Sequence, residues 1–141
     1  MKFFDKDFLF SNISDEESER RIHKYIEQKC FVEKYADYNI RLLLSSISLH
    51  DAKILVIKKE LNCWIIILSC GDNQVGHFRL TLTFDKNSKI DLFDNVLPFT
   101  VVYYEIDYND NYYTISFISN DAKTFDIQFN TVSLFLEAEK K

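Results

Sequence analysis

Two glycines and a single proline in 141 residues leave this chain with very little of what usually breaks regular structure. That scarcity argues against a Gly-rich phosphate loop, against a collagen-like or linker-like segment, and against a loop-rich enzyme. No Gly-x-Ser-x-Gly elbow is present, so the usual nucleophile of an α/β-hydrolase is missing. Cysteine is also scarce: Cys30, Cys63 and Cys70 are an odd number with no C-x-x-C spacing, which disfavours a secreted disulfide framework. Reduced thiols in a cytoplasm are the expectation. On one strand Cys63 and Cys70 would point to opposite faces and could not bridge each other. Long apolar runs are missing as well. The longest, Cys63 to Cys70, is eight residues, against the roughly 20 that a membrane-spanning helix requires. Asp5, Lys6 and Asp7 interrupt the apolar first ten residues, and no small-residue cleavage site follows, so no signal peptide is expected. Bases are outnumbered, 17 Lys and Arg against 22 Asp and Glu, for a net charge of −5. This is the wrong sign for a nucleic-acid backbone or an anionic membrane, and neither is expected as a partner.

The residues that are plentiful describe an ordinary folded chain, 47% hydrophobic and 28% charged, with an unusual 16% of aromatics. Length and pattern predict a single α+β domain over residues 1–141, helical over 15–47, a sheet over 52–129 and a tail over 130–141. Ser14-Asp15-Glu16-Glu17 has the form of a capping box, with Glu17 placed to reach back to the cap. Ile22, Tyr25, Ile26 and Cys30 give a first helical stripe, which Tyr35 can extend. Ala36, Ile40, Leu43, Leu44 and Ile47 give a second stripe out of phase with it, so a kink is expected between Phe31 and Asn39. Beyond Leu49 the period becomes two. Strands are predicted at 52–59, 62–70, 75–84, 101–107, 112–118 and 124–129, joined by short polar turns, hence a roughly six-stranded, mostly antiparallel meander. The long N-terminal helix is expected to cover its apolar face.

The first hairpin carries apolar side chains on both faces. Trp64, Ile66 and Leu68 suit the core, while Leu55, Ile57, Ile65 and Ile67 form a second patch that needs its own cover. The aromatic segment Phe3-Phe4-x-x-x-Phe8-Leu9-Phe10, the segment Val132 to Leu136, or a second copy of the chain could supply it.

Candidate chemistry is sparse. His50-Asp51, at the junction of helix and first strand, pairs an imidazole with a carboxylate and could serve acid–base work. Capping of loose backbone groups is the favoured reading, because adjacent side chains on an extended strand diverge. His23 and His77 have no metal-ligand spacing, and Asp107-Tyr108-Asn109-Asp110-Asn111 lacks the glycine and closing glutamate of a calcium loop. No metal, cofactor or catalytic residue is therefore expected.

Regional charge says more. Asp91, Asp94, Glu105, Asp107, Asp110, Asp121 and Asp126 face one base, Lys123, within residues 91–126. Tyr103, Glu105, Asp107, Tyr112 and Asp126 are predicted to share one sheet face. Acidic charge with tyrosine suits a protein-binding surface for a basic partner, and also suits a solvated face that keeps the chain soluble.

The junction Leu49-His50-Asp51-Ala52, running into Lys53-Ile54-Leu55-Val56-Ile57 and an amphipathic hairpin, resembles a class of small acidic proteins of Gram-positive bacteria. In these a helix precedes a Leu/Phe-His-Asp-(Ala/Ser) junction and an antiparallel sheet, and some look like immunity proteins that neutralise a polymorphic toxin by binding it. The resemblance spans about a quarter of the chain. It implies an α+β fold and a non-catalytic protein-binding role, and it brings no catalytic residues with it.

Overall fold

Ser14 starts the long helix as expected, its hydroxyl accepting from the Glu17 N–H at 3.1 Å. Glu17 does not reach back. Its carboxylate is bonded to Arg20 and Arg21 at 2.6–3.0 Å, and these guanidiniums hold its pKa down to about 2. In the computed structural model, which describes residues 1–73, 76–92 and 95–139 (side chains of Asp72 and Asn73 excepted), the helical region is three helices instead of one long one. They are α1 (Lys6–Leu9), α2 (Asp15–Tyr35) and α3 (Tyr38–Ser45). The break comes at Ala36, whose ψ of 138° is extended, and Asp37 then caps α3 by accepting from the Ile40 N–H at 3.0 Å. An aspartate able to cap a new helix terminates the old one without any Gly or Pro.

The second stripe is core as expected, with Ala36, Ile40, Leu43, Leu44 and Ile47 all buried. The first is not. Ile22 and Ile26 are 41% and 50% exposed, and Val32 is the one buried residue of α2. The face α2 turns inward carries Arg21, Tyr25, Gln28 and Val32, and it packs along β5 instead of over the apolar face of the sheet.

Eight antiparallel strands form the sheet: β1 (Lys53–Lys59), β2 (Cys63–Asn73), β3 (Gly76–Asp85), β4 (Lys89–Ile90), β5 (Phe99–Asn109), β6 (Tyr112–Ser119), β7 (Thr124–Phe129) and β8 (Val132–Ala138). Their order is β4-β7-β6-β5-β1-β2-β3-β8. The six expected strands are present, the third without Val75, which lies outside the described residues. The meander holds for β1-β2-β3 and β5-β6-β7. The additions are the two-residue β4 and, within the expected tail, β8. The β5–β6 turn is Asp110-Asn111, both left-handed at φ 47° and 74°, a conformation these two side chains tolerate.

Among the described residues β1 meets β5 at Lys53↔Thr100 and Ile54↔Phe99, and Asp51 and Ala52 just before β1 continue the backbone bonding to Val101. The sheet is bent on itself there, because the Phe84 ring of β3 meets the Phe129 ring of β7 at 4.9 Å although four strands lie between β3 and β7 in the order. Phe99 and Phe125 meet at 5.1 Å across the same core. Beyond Thr100 the edge of β5 is free of β1, and helical residues occupy it. Gln28 Nε2 donates to the Ile106 carbonyl at 3.1 Å, and the Tyr104 hydroxyl lies 2.7 Å from the Leu43 carbonyl at the end of α3.

A bulge corrects the expected outer patch. Ile54 pairs with Leu68 but Val56 with Ile67, so Leu55 is an extra residue and β1 changes face after it. Ile57 therefore lies opposite buried Ile66 and packs against the core. The outer face carries Val56, Ile65 and Ile67, beside bulged Leu55 at 40% exposure. Neither chain segment expected to cover it does so: Val132 to Leu136 lengthens the sheet as β8, and the N-terminal aromatics dock elsewhere. Among the described residues no helix is long and apolar enough to cross a membrane.

Candidate functional site

The acidic residues singled out in the sequence share the outer face of β5–β6–β7. Register arranges that face as three rows: Tyr103–Ile118–Thr124, Glu105–Ser116–Asp126 and Asp107–Thr114–Gln128. Tyr112 has the same parity on β6, so it belongs to this face too and lines a second shallow hollow with Gln128 and Lys89. The five residues do lie on one face, but they do not form one exposed surface.

Residues 1–8 lie across half of it. Glu105 is 3% exposed, and its carboxylate accepts from the backbone N–H groups of Phe3 and Phe4 at 2.8 Å and of Lys2 at 2.9 Å. A buried carboxylate with three N–H donors is satisfied by hydrogen bonds instead of by a counter-ion. Phe4 stacks on Tyr103 at 4.9 Å and meets Phe8 and Tyr25 at 4.9 and 4.8 Å. Ile118, opposite Tyr103 in the register, is fully buried. Arg21 fixes the segment from α2, donating to the Phe3 carbonyl at 3.3 Å and to Asp5 at 2.8 Å. Burial first, and the Glu105 carboxylate second, raise the pKa of the Tyr25 phenol. Glu105 and Tyr103 are thus occupied by their own chain, a correction to the expectation that they meet a partner. The signal for it was Ile118, an apolar residue on an otherwise polar face, together with an aromatic segment in need of a surface.

What remains open lies further along. Asp107 is half-occupied, bonded to Lys2 Nζ at 3.0 Å with its side chain 30% exposed. Asp126 is exposed, and its carbonyl accepts from the Asp91 N–H at 3.2 Å, so the two aspartates are neighbours. Among the described residues Asp91, Asp110 and Asp126 take part in no ion pair. Asp121 is paired with Lys123 at 3.4 Å, and Asp94 lies outside the described residues. A hollow of about 230 Å³ opens between Lys2, Gln28, Asp107, Thr114 and Asp126. Lys2 and Lys89 bring bases to the face that a count over residues 91–126 does not include, because both come from elsewhere in the chain.

His50 and Asp51 occupy the edge of β5 just beyond its pairing with β1. The His50 Nδ1–H donates to the Val102 carbonyl, and the Asp51 N–H donates to the Val101 carbonyl at 2.7 Å. The side chains do not diverge. Asp51 is left-handed at φ 63°, which brings its carboxylate to 3.5 Å from His50 Nε2, with the two side chains 54% and 67% exposed. The His50 ring lies 6.1 Å from that of Tyr103, so the junction adjoins the docked N-terminal segment.

All three cysteines are free: Cys30 is exposed, Cys63 half-buried and Cys70 buried. Burial, with the Glu139 carboxylate adding to it, pushes the Cys70 thiol up to about 12 and leaves it a poor nucleophile. Among the described residues no three His, Cys, Asp or Glu side chains gather where they could hold a metal ion. Comparison with protein-family models, with curated proteins and with solved structures finds no match to this chain.

Proposed function

We propose that this chain is a non-catalytic binding module that engages a basic protein through the outer face of β5–β7, with a nuclease-type toxin as the partner class. The observation that supports this most is the adjacent pair Asp91 and Asp126, two exposed carboxylates linked through the backbone and without ion partners among the described residues. A cationic partner would supply the counter-charge that these two carboxylates lack. A nuclease cleft must be positive to hold phosphates, and the charge that attracts it repels nucleic acid itself. Asp107, Tyr112, Thr114 and Gln128 extend the contact surface, which Met1 and Lys2 border. Free thiols in this reading suit a cytoplasm.

The test is a hydrogen-exchange footprint with the protein that co-purifies with the tagged chain from its source cells. Protection confined to β5–β7 by a partner of net positive charge is the expected result. Protection on β1–β3, or an acidic partner, would contradict the proposal.

A further inference from the structure

β8 is the last strand of the sheet: one edge pairs with β3, and the opposite edge has no strand beside it among the described residues. Phe135, on the outer face, is 61% exposed, and the next residue, Leu136, on the opposite face, is 42% exposed. Apolar side chains exposed on alternate faces of one strand indicate a missing neighbour in the sheet. The backbone agrees. Thr131 O accepts from the Asp85 N–H and the Glu139 N–H donates to His77 O, each at 3.3 Å. These bonds fix the parity: odd-numbered residues of β8 turn their backbone groups toward β3, and even-numbered ones turn them away. Asn39 of α3 caps the first outward carbonyl, that of Val132, at 2.9 Å. The outward N–H and C=O groups of Leu134 and Leu136 receive no such cap among the described residues. Strand edges of this kind are normally blunted by lysine, proline or a bulge, and β8 has none of these.

We propose that β8 pairs antiparallel with β8 of a second copy of this chain, about a two-fold axis through Phe135. In that register Leu134 exchanges both backbone bonds with Leu136 of the second copy. Phe135 stands against its own equivalent at the closer, non-hydrogen-bonded spacing, where aromatic pairs gain most. Charge selects the second copy and its direction. The antiparallel register sets Glu137 opposite Ser133, whereas a parallel one would stack Glu137 on Glu137. Glu137 is the one charged residue of β8, so the antiparallel register sets no like charges directly opposite each other. The row Val56–Ile67–Thr81–Phe135 would then run unbroken into its symmetry mate across the outer faces. This surface is separate from the proposed partner-binding face, and either can fail without the other.

Strand pairing alone buries less than the roughly 1,200–2,000 Å² of a standard interface, so the monomer–dimer midpoint is expected between about 10 μM and 1 mM. The experiment is light scattering across that range on the wild type, Leu136→Pro and Phe135→Lys, with circular dichroism and thermal melting beside it. Leu136→Pro removes an outward N–H that β3 does not use, and Phe135→Lys sets like charges against each other on the axis. The expected result is a concentration-dependent dimer for the wild type and a midpoint raised at least about tenfold in both variants, with the fold unchanged. If Leu136→Pro fails to fold, Phe135→Lys decides alone. A wild type that keeps the mass of one chain at about 1 mM, or a Phe135→Lys variant that dimerises like the wild type, would overturn the proposal.

Discussion

The Glu105 carboxylate holds the N-terminal segment to β5 by accepting from the backbone N–H groups of Lys2, Phe3 and Phe4. Glu105→Ala leaves those donors buried and unpaired, and the expected loss is about 2–4 kcal/mol in urea unfolding, with Glu105→Gln losing less because its amide oxygen still accepts. Asp85 is a second such staple. Burial raises its pKa, but the N–H groups of Thr131 and Asn130 and the Ser88 hydroxyl outweigh that and bring it below its ordinary 3.8. A carboxyl lowered in the folded state stabilises above its unfolded pKa, and the contribution disappears as pH falls through the folded value. Asp85→Asn should therefore destabilise at pH 7, and its gap from the wild type should narrow in urea titrations below about pH 3.8. A gap independent of pH would contradict that role. The thiols differ in the same local way: brief iodoacetamide treatment followed by peptide mapping should modify exposed Cys30 and spare Cys70 until the chain unfolds.

At the scale of elements, the sequence was readable where one rule acts alone and misleading where two compete. Ser14 marked the start of α2, and the second stripe was core, because capping and period 3.6 agree there. The first stripe failed because α2 packs against a strand edge. There Gln28 and Arg21, which look like solvent residues, make the contacts, while Ile22 and Ile26 stay out. The Leu55 bulge moved Ile57 from the outer face to the core by inserting one residue, and no local residue signals that insertion. β8 falls in the expected tail although Val132, Leu134 and Leu136 alternate with Ser133 and Glu137; Phe135 is the one apolar residue on the opposite face. The break between α2 and α3 depends on Asp37, so Asp37→Ala should cost about 1 kcal/mol in thermal or urea unfolding without altering the sheet.

Over the whole molecule, charge and exposed apolar surface are segregated. Carboxylates gather on the outer face of β5 to β7, while within the sheet the exposed apolar side chains Leu55, Phe135 and Leu136 belong to β1 and β8. The acidic region was visible in the sequence as seven acids to one base. Hidden were the two lysines folded onto it from residues 2 and 89, and the cover that residues 1–8 place over Tyr103 and Glu105. In the proposed binding role, partner recognition rests on Asp91 and Asp126, with Asp107 and Tyr112 beside them. The measurement that tests this most directly is the association rate of the co-purifying partner with wild type and with Asp91→Lys/Asp126→Lys across a salt series. Exposed charges act over about 8 Å at physiological ionic strength. The wild-type rate should therefore fall as salt rises, and the double variant should associate at least about tenfold more slowly at low salt with a flatter salt dependence. An association rate unchanged by the double charge reversal would contradict the account.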